Sequence, residues 1–161
     1  MRNERIGEFK TTGILLLCDP CYKREYGKPS VQRIKVAPGI WEVNATFLSD
    51  NIATLQANLI NSFPKTTQIL TEDAGVDSGQ FGFFDETIFP YNDNRNYDDK
   101  DSFYGRCCKV TLEPPYVGIV DEKGVASSSG FGDGSYTVIV GKTLDGLVVD
   151  ISVEFISEEE Y

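Results

Sequence analysis

The chain of 161 residues contains no histidine, one methionine and one tryptophan. Without histidine there can be no Ser-His-Asp triad, no Cys-His pair and no His-ligated metal. Acid–base chemistry near neutral pH would fall to carboxylates, Lys, Tyr or Cys. Long apolar runs are also missing. The first, Ile14–Cys18, is too short for the apolar part of a secretion signal and far too short to span a bilayer. The protein is therefore expected in the cytoplasm, away from membranes. Positive charge is scarce, with 15 bases against 25 acids and a net charge of −10. Non-specific binding to DNA or RNA depends on neutralising phosphates, so neither is expected as a partner. The four cysteines, in a reducing compartment, are expected to be free thiols.

Aromatic residues are abundant, with 10 Phe and 8 Tyr. Together with β-branched residues they favour pleated, half-buried strands. The length suits one domain over residues 1–161. Gly13–Cys18 reads as a buried strand ended by Asp19-Pro20. A polar connection, Cys21–Ser30, leads to an alternating Val31–Val36, and Pro38-Gly39 signals a turn. In Ile40–Leu48, Trp41, Val43, Ala45 and Phe47 fall on one face, the period of a half-buried strand. Ile52–Phe63 fits helix and strand spacing alike, and its strand-rich neighbourhood favours strand. Thr67–Glu72 is a short strand, and Gly75–Asp85 reads as strand–turn–strand. Asn92–Asp101 is polar and expected to be an exposed, mobile acidic loop. Ser102–Leu112 is open between a short helix and a strand. Tyr116–Asp121 is a strand, with a turn at Asp121–Gly124. Ser135–Val140 and Leu147–Phe155 flank Asp145-Gly146, a hairpin signature. Residues 157–161 form a charged tail. The expected fold is mostly β, a sandwich or barrel with at most one or two short helices.

Several motifs suggest chemistry. Cys18-Asp-Pro-Cys21 is a C-x-x-C, but only Cys107 and Cys108 remain as further zinc ligands, and adjacent cysteines rarely share one tetrahedral metal. A redox pair normally opens a helix, whereas this one ends a strand. The cysteines are therefore read as packed or partly exposed thiols. Gly141-Lys142-Thr143 lacks the earlier glycine of a phosphate-binding loop, because position 136 is Tyr136. A calcium loop counted from Asp93 fails at Arg95 and Asp98. The most distinctive segment is Ser127–Ser135 (SSSGFGDGS). Glycines at 130, 132 and 134 let a ligand approach the backbone, serines add short donors, and successive N–H groups can cradle an anion. The same segment also suits a tight turn with Asp133 bonding its own backbone. Asp19, Asp85 and Asp133 each stand at an element boundary. A metal-dependent hydrolase could be assembled from them, although aspartate is equally common at turns.

Three segments together carry a resemblance: Cys18–Pro20 followed by Pro38–Val43, then Val76–Asp85, then Ser129–Phe155 with its Ser-Gly-aromatic-Gly-Asp-Gly-x-Tyr. The chain resembles a bacterial and phage family known only as a domain of unknown function. It is also similar to small phage proteins that sequester cyclic nucleotide signals of bacterial immunity. The tryptophan-rich stretch often seen mid-chain in the first family is missing here. The resemblance implies a sponge that binds without cleaving, works without a cofactor or metal, forms a homo-oligomer (dimer or tetramer), and acts in the host cytoplasm if phage-encoded. Guanidiniums and backbone amides suit the phosphates of such a ligand, and aromatic rings suit its bases. On residue chemistry, the candidate ligand-binding residues are Arg24, Arg106, Ser128, Ser129, Phe131 and Tyr136. Two other functions compete: an immunity- or antitoxin-like module whose acidic surface steers towards a basic protein, and the carboxylate–metal hydrolase.

Overall fold

Alternating apolar residues pair the chain into two antiparallel sheets, seen in a computed structural model that describes residues 1–23, 30–91 and 96–160. The strands are β1 (Arg2–Thr11), β2 (Ile14–Cys18), β3 (Gln32–Lys35), β4 (Gly39–Leu48), β5 (Asn51–Leu59), β6 (Thr66–Val76) and β7 (Gln80–Asp85). After the helix α1 (Phe103–Leu112) come β8 (Val117–Val120), β9 (Gly124–Ser128), β10 (Gly134–Lys142) and β11 (Val148–Glu154). One sheet has six strands in the order β1-β4-β5-β11-β10-β6, and the other has five in the order β3-β2-β7-β9-β8. The two pack face to face as an open sandwich. No helix among the described residues is long and apolar enough to cross a membrane.

The alternation in β4 points Trp41, Val43, Ala45 and Phe47 into the sandwich core, where they meet Leu15 and Leu17 of β2 and Phe81 and Phe83 of β7. The Trp41 indole N–H donates to the Ala37 carbonyl at 2.9 Å, so the largest core side chain leaves no polar atom unsatisfied. The five-stranded sheet is covered on both faces. Its outer face carries Leu16, Cys18, Phe84 and Ala126, packed against Phe103 and Cys107 of α1 and against Phe89. All six residues of β7 are consequently buried, and the strand shows no apolar–polar alternation. Gly82 must be glycine there, because a Cβ would lie 2.3 Å from both the Phe84 ring and the Val125 carbonyl.

The β10–β11 hairpin forms as its Asp145-Gly146 turn predicts, with Gly146 at φ +84°. The ambiguous Ile52–Phe63 supplies strand β5, and Ser102–Leu112 resolves as helix. Its start is set locally: Ser102 caps it by accepting from the Gly105 N–H at 2.9 Å. Strand β1 was not anticipated. Its exposed residues carry five charges in RNERIGEFKT, which masks the alternation. Of the acidic loop, residues 92–95 lie outside the described residues, and the rest forms turns leading into α1, such as Asp99 N–H to the Asn96 carbonyl at 3.2 Å. The charged tail ends in a 3-10 turn, Glu158–Glu160.

Candidate functional site

Two of the segments singled out in the sequence meet at one buried carboxylate, and the third joins them at the neighbouring Gly79. Asp19, fully buried at the end of β2, accepts from the Cys21 N–H at 2.8 Å and the Ser78 hydroxyl at 2.6 Å through Oδ1. Its Oδ2 accepts from the Asp77 and Ser78 N–H groups at 2.9 and 2.6 Å. The next residue, Gly79, donates to Asp133 Oδ1 at 2.8 Å, and its carbonyl accepts from the Ser129 N–H at 3.0 Å. Asp133 thus bonds across to the turn before β7, where the sequence suggested a bond to its own backbone.

From this junction a polar chain runs to the helix. Gln80 donates to the Ser78 hydroxyl at 3.2 Å and to Cys108 Sγ at 3.5 Å, and its carbonyl oxygen accepts from Thr111 Oγ1 at 2.9 Å. The Asp19 junction therefore fixes the seating of α1 as well as the turns.

Ser127–Tyr136 closes mainly upon itself. The Tyr136 hydroxyl donates to the Ser129 carbonyl at 3.1 Å and also to the Gly132 carbonyl. Ser129, buried, donates its hydroxyl to the Gly132 carbonyl at 3.0 Å. The Ser128 N–H donates to the Tyr116 carbonyl at 2.9 Å. Gly130 has φ +63°, and a Cβ there would lie 2.9 Å from Ile156. Of the candidates in this segment only Phe131 points outward, 67% exposed. The Ser129 and Tyr136 hydroxyls, assigned to a ligand from the sequence, are spent on the turn's own carbonyls.

Arg106 lies elsewhere. It forms a bidentate pair with Asp121 at 2.8 and 2.9 Å and donates to the Lys100 carbonyl at 3.3 Å. Asp121 precedes β9 whereas Ser128 ends it, so Arg106 and the serine–glycine turn stand at opposite ends of that strand, roughly 13 Å or more apart at strand rise. Arg24 lies outside the described residues.

Around Arg106 the helix borders two adjoining clefts. One, of about 370 Å³, is lined by Lys100, Arg106, Lys109, Val110, Ile119 and Asp121, among others. The other, of about 270 Å³, is lined by Tyr97, Asp98, Lys100, Cys108, Lys109, Leu112 and Glu113, among others. Lys100 and Lys109 belong to both, and neither is ion-paired with a described residue. Tyr97 and Leu112 are largely exposed. The sequence reading missed Lys100, Lys109 and Tyr97. The signal was the spacing of Arg106 and Lys109, which places both on one helix face once the segment is known to be helical.

Asp19, Asp85 and Asp133 do not converge on a metal site. Asp85, fully buried at the other end of β7, accepts from Thr11 Oγ1 at 2.6 Å, from the Thr12 N–H at 2.7 Å and from Thr87. Burial pushes its carboxyl up, but the bonds from Thr11, Thr87 and the Thr12 amide outweigh that and hold it below the ordinary value. Among the described residues no three His, Cys, Asp or Glu side chains are placed to hold a metal ion. None of the four cysteines is in a disulfide: Cys18, Cys107 and Cys108 are buried and Cys21 half-buried. Burial, then the charge of Asp19, pushes the Cys21 thiol up to about 12, so it is protonated at neutral pH.

No family model, no curated protein and no solved structure matches the chain.

Proposed function

We propose that the protein is a non-enzymatic binder that sequesters a small anionic nucleotide of the cyclic dinucleotide kind, held along the outer face of α1. The observation that carries this reading is the gathering of Lys100, Arg106 and Lys109 on one cleft of a chain with net charge −10. Ammonium and guanidinium groups suit phosphate oxygens. Tyr97 and Leu112 offer an aromatic ring and an apolar surface for a base. Asp98 and Glu113 border the same end and suit the amino and imino hydrogens of a purine. Asp121 competes with phosphate for Arg106, which favours a ligand of two or more phosphates over a single small anion.

Calorimetry against a panel of cyclic di- and trinucleotides tests the reading, with nucleoside monophosphates as the comparison. The expected result is saturable heat with at least one cyclic member and intact ligand recovered after the protein is denatured. No heat at about 100 µM with any member, a concentration that would still reveal weak binding, overturns it. Cleaved ligand overturns the non-enzymatic part.

A further inference from the structure

The four sheet edges are not treated alike. An edge strand exposes unpaired N–H and C=O groups, and proteins usually guard it with charge, brevity, bulges or cover. Strand β1 carries Arg2, Glu4, Arg5, Glu8 and Lys10 and a bulge between Arg5 and Gly7. Strand β3 is four residues long with Arg33 and Lys35. Strand β8 is also four residues long, with α1 and β1 packed against it.

Strand β6 differs. It is 11 residues long, and its first six, Thr66–Thr71, carry no charge. Thr66, Thr67, Gln68 and Ile69 are all exposed, so both faces of the strand are open there. Ile69 lies directly opposite Ile139 on the outer face, 53% and 36% exposed, and Phe63 just before the strand is 80% exposed. The bulges of β6 against β10 fall later, at Leu70 and at Glu72–Asp73, so Thr66–Ile69 keeps regular pairing geometry.

The charges flanking this run are ordered. Lys65 precedes it, and Glu72 and Asp73 follow it. None of the three is ion-paired with a described residue. Antiparallel pairing of two β6 strands about a two-fold axis sets Lys65 of each copy against the Glu72–Asp73 end of the other. Parallel pairing would stack like charges. The segment is therefore complementary to itself in one orientation, which is what an isologous interface requires.

We infer that β6 is a docking edge for a second copy of this chain, pairing antiparallel through the uncharged run Thr66–Thr71, with the axis between Gln68 and Ile69 and Lys65 of each copy opposite Glu72 of the other. Backbone hydrogen bonds across the axis supply the attraction. Ile69, Ile139 and Phe63 supply apolar cover, and Lys65 with Glu72–Asp73 sets the direction. The inference is independent of the ligand reading, since the clefts on α1 share no residue with β6.

Sedimentation velocity over about 1–500 µM tests it, because a modest strand-edge interface dissociates within that range. The wild type should show a reversible monomer–dimer equilibrium, and outward amides of Thr66–Ile69 should exchange more slowly as concentration rises. Ile69→Lys places a charge on the exposed edge and should weaken association by at least ~10-fold. Lys65→Glu should weaken it several-fold. Lys65→Glu combined with Glu72→Lys and Asp73→Lys should restore it, a rescue that general stickiness would not give. These positions are exposed, and unchanged melting temperatures would confirm that each variant folds. A wild type that stays monomeric throughout overturns the inference. So does a dimer indifferent to Ile69→Lys, or a charge reversal that fails to rescue.

Discussion

Asp19 and Ser78, 59 residues apart in sequence, are joined by two hydrogen bonds: one from the Ser78 N–H and one from its hydroxyl. The carboxylate is fully buried, and among the described residues it is balanced by hydrogen-bond donors. Asp19→Asn keeps the shape but turns an amide group towards groups that also donate. It should cost about 2–4 kcal/mol in urea denaturation at neutral pH. Ser78→Ala removes one donor and the bridge to Gln80 and should cost about 1–2 kcal/mol. A double-mutant cycle should show the two effects to be strongly non-additive.

Asp85 gives the chain an acid limit. Its folded carboxyl is held below the ordinary 3.8 by the threonine hydroxyls and amides that outweigh the effect of burial. The unfolded chain therefore takes up the proton first. The contribution to stability is complete above the unfolded value and is lost as pH falls through the folded one. Melting temperature should drop on acidification below about pH 4. Asp85→Asn should be less stable at neutral pH and show a shallower acid limb.

The thiols should react slowly. With Cys21 pushed up to about 12, little thiolate exists at neutral pH. Its alkylation by iodoacetamide should be at least ~100-fold slower than that of a free cysteine. Cys18 and Cys107 are buried, which pushes their thiols well above the ordinary value, and should be modified only at the rate of unfolding. Mass spectrometry of the labelled protein, native and in urea, checks both statements.

Variants of the cleft and of the serine–glycine turn should separate. Lys100→Glu and Lys109→Glu should each weaken binding of a cyclic nucleotide by ~10-fold or more with little change in melting temperature. Ser129→Ala should do the reverse, costing about 1–2 kcal/mol of stability and leaving affinity unchanged. Phe131→Ala should alter neither. Loss of binding in Phe131→Ala with intact binding in Lys109→Glu would move the ligand from the helix to the turn.

Much of the fold was legible because single strands announce themselves. The alternation of Trp41, Val43, Ala45 and Phe47 and the Asp145-Gly146 turn needed no tertiary information. Strand β1 stayed hidden because an edge strand wears charges where a central one wears valines. Helix α1 was ambiguous because its buried residues, Phe103, Gly105, Cys107, Cys108 and Thr111, include only one large apolar side chain. The site was less legible for a related reason. Hydroxyls and glycines that could cradle an anion also close a tight turn, and only the partners of Ser129 and Tyr136 distinguish the two. Lys100 and Lys109 mean nothing as isolated cations until the helix phase brings them beside Arg106.

The five charges of β1 have a consequence for how large an assembly can grow. A sheet with two open edges can add copies at both ends without limit, the geometry of a filament. Here one end of the six-stranded sheet is guarded by the charges of β1, so addition through β6, as proposed above, would close after a single partner and leave charged edges facing outward. The same strand that obscured the sequence pattern would then act as a terminator of growth, keeping the proposed assembly from running on into fibres.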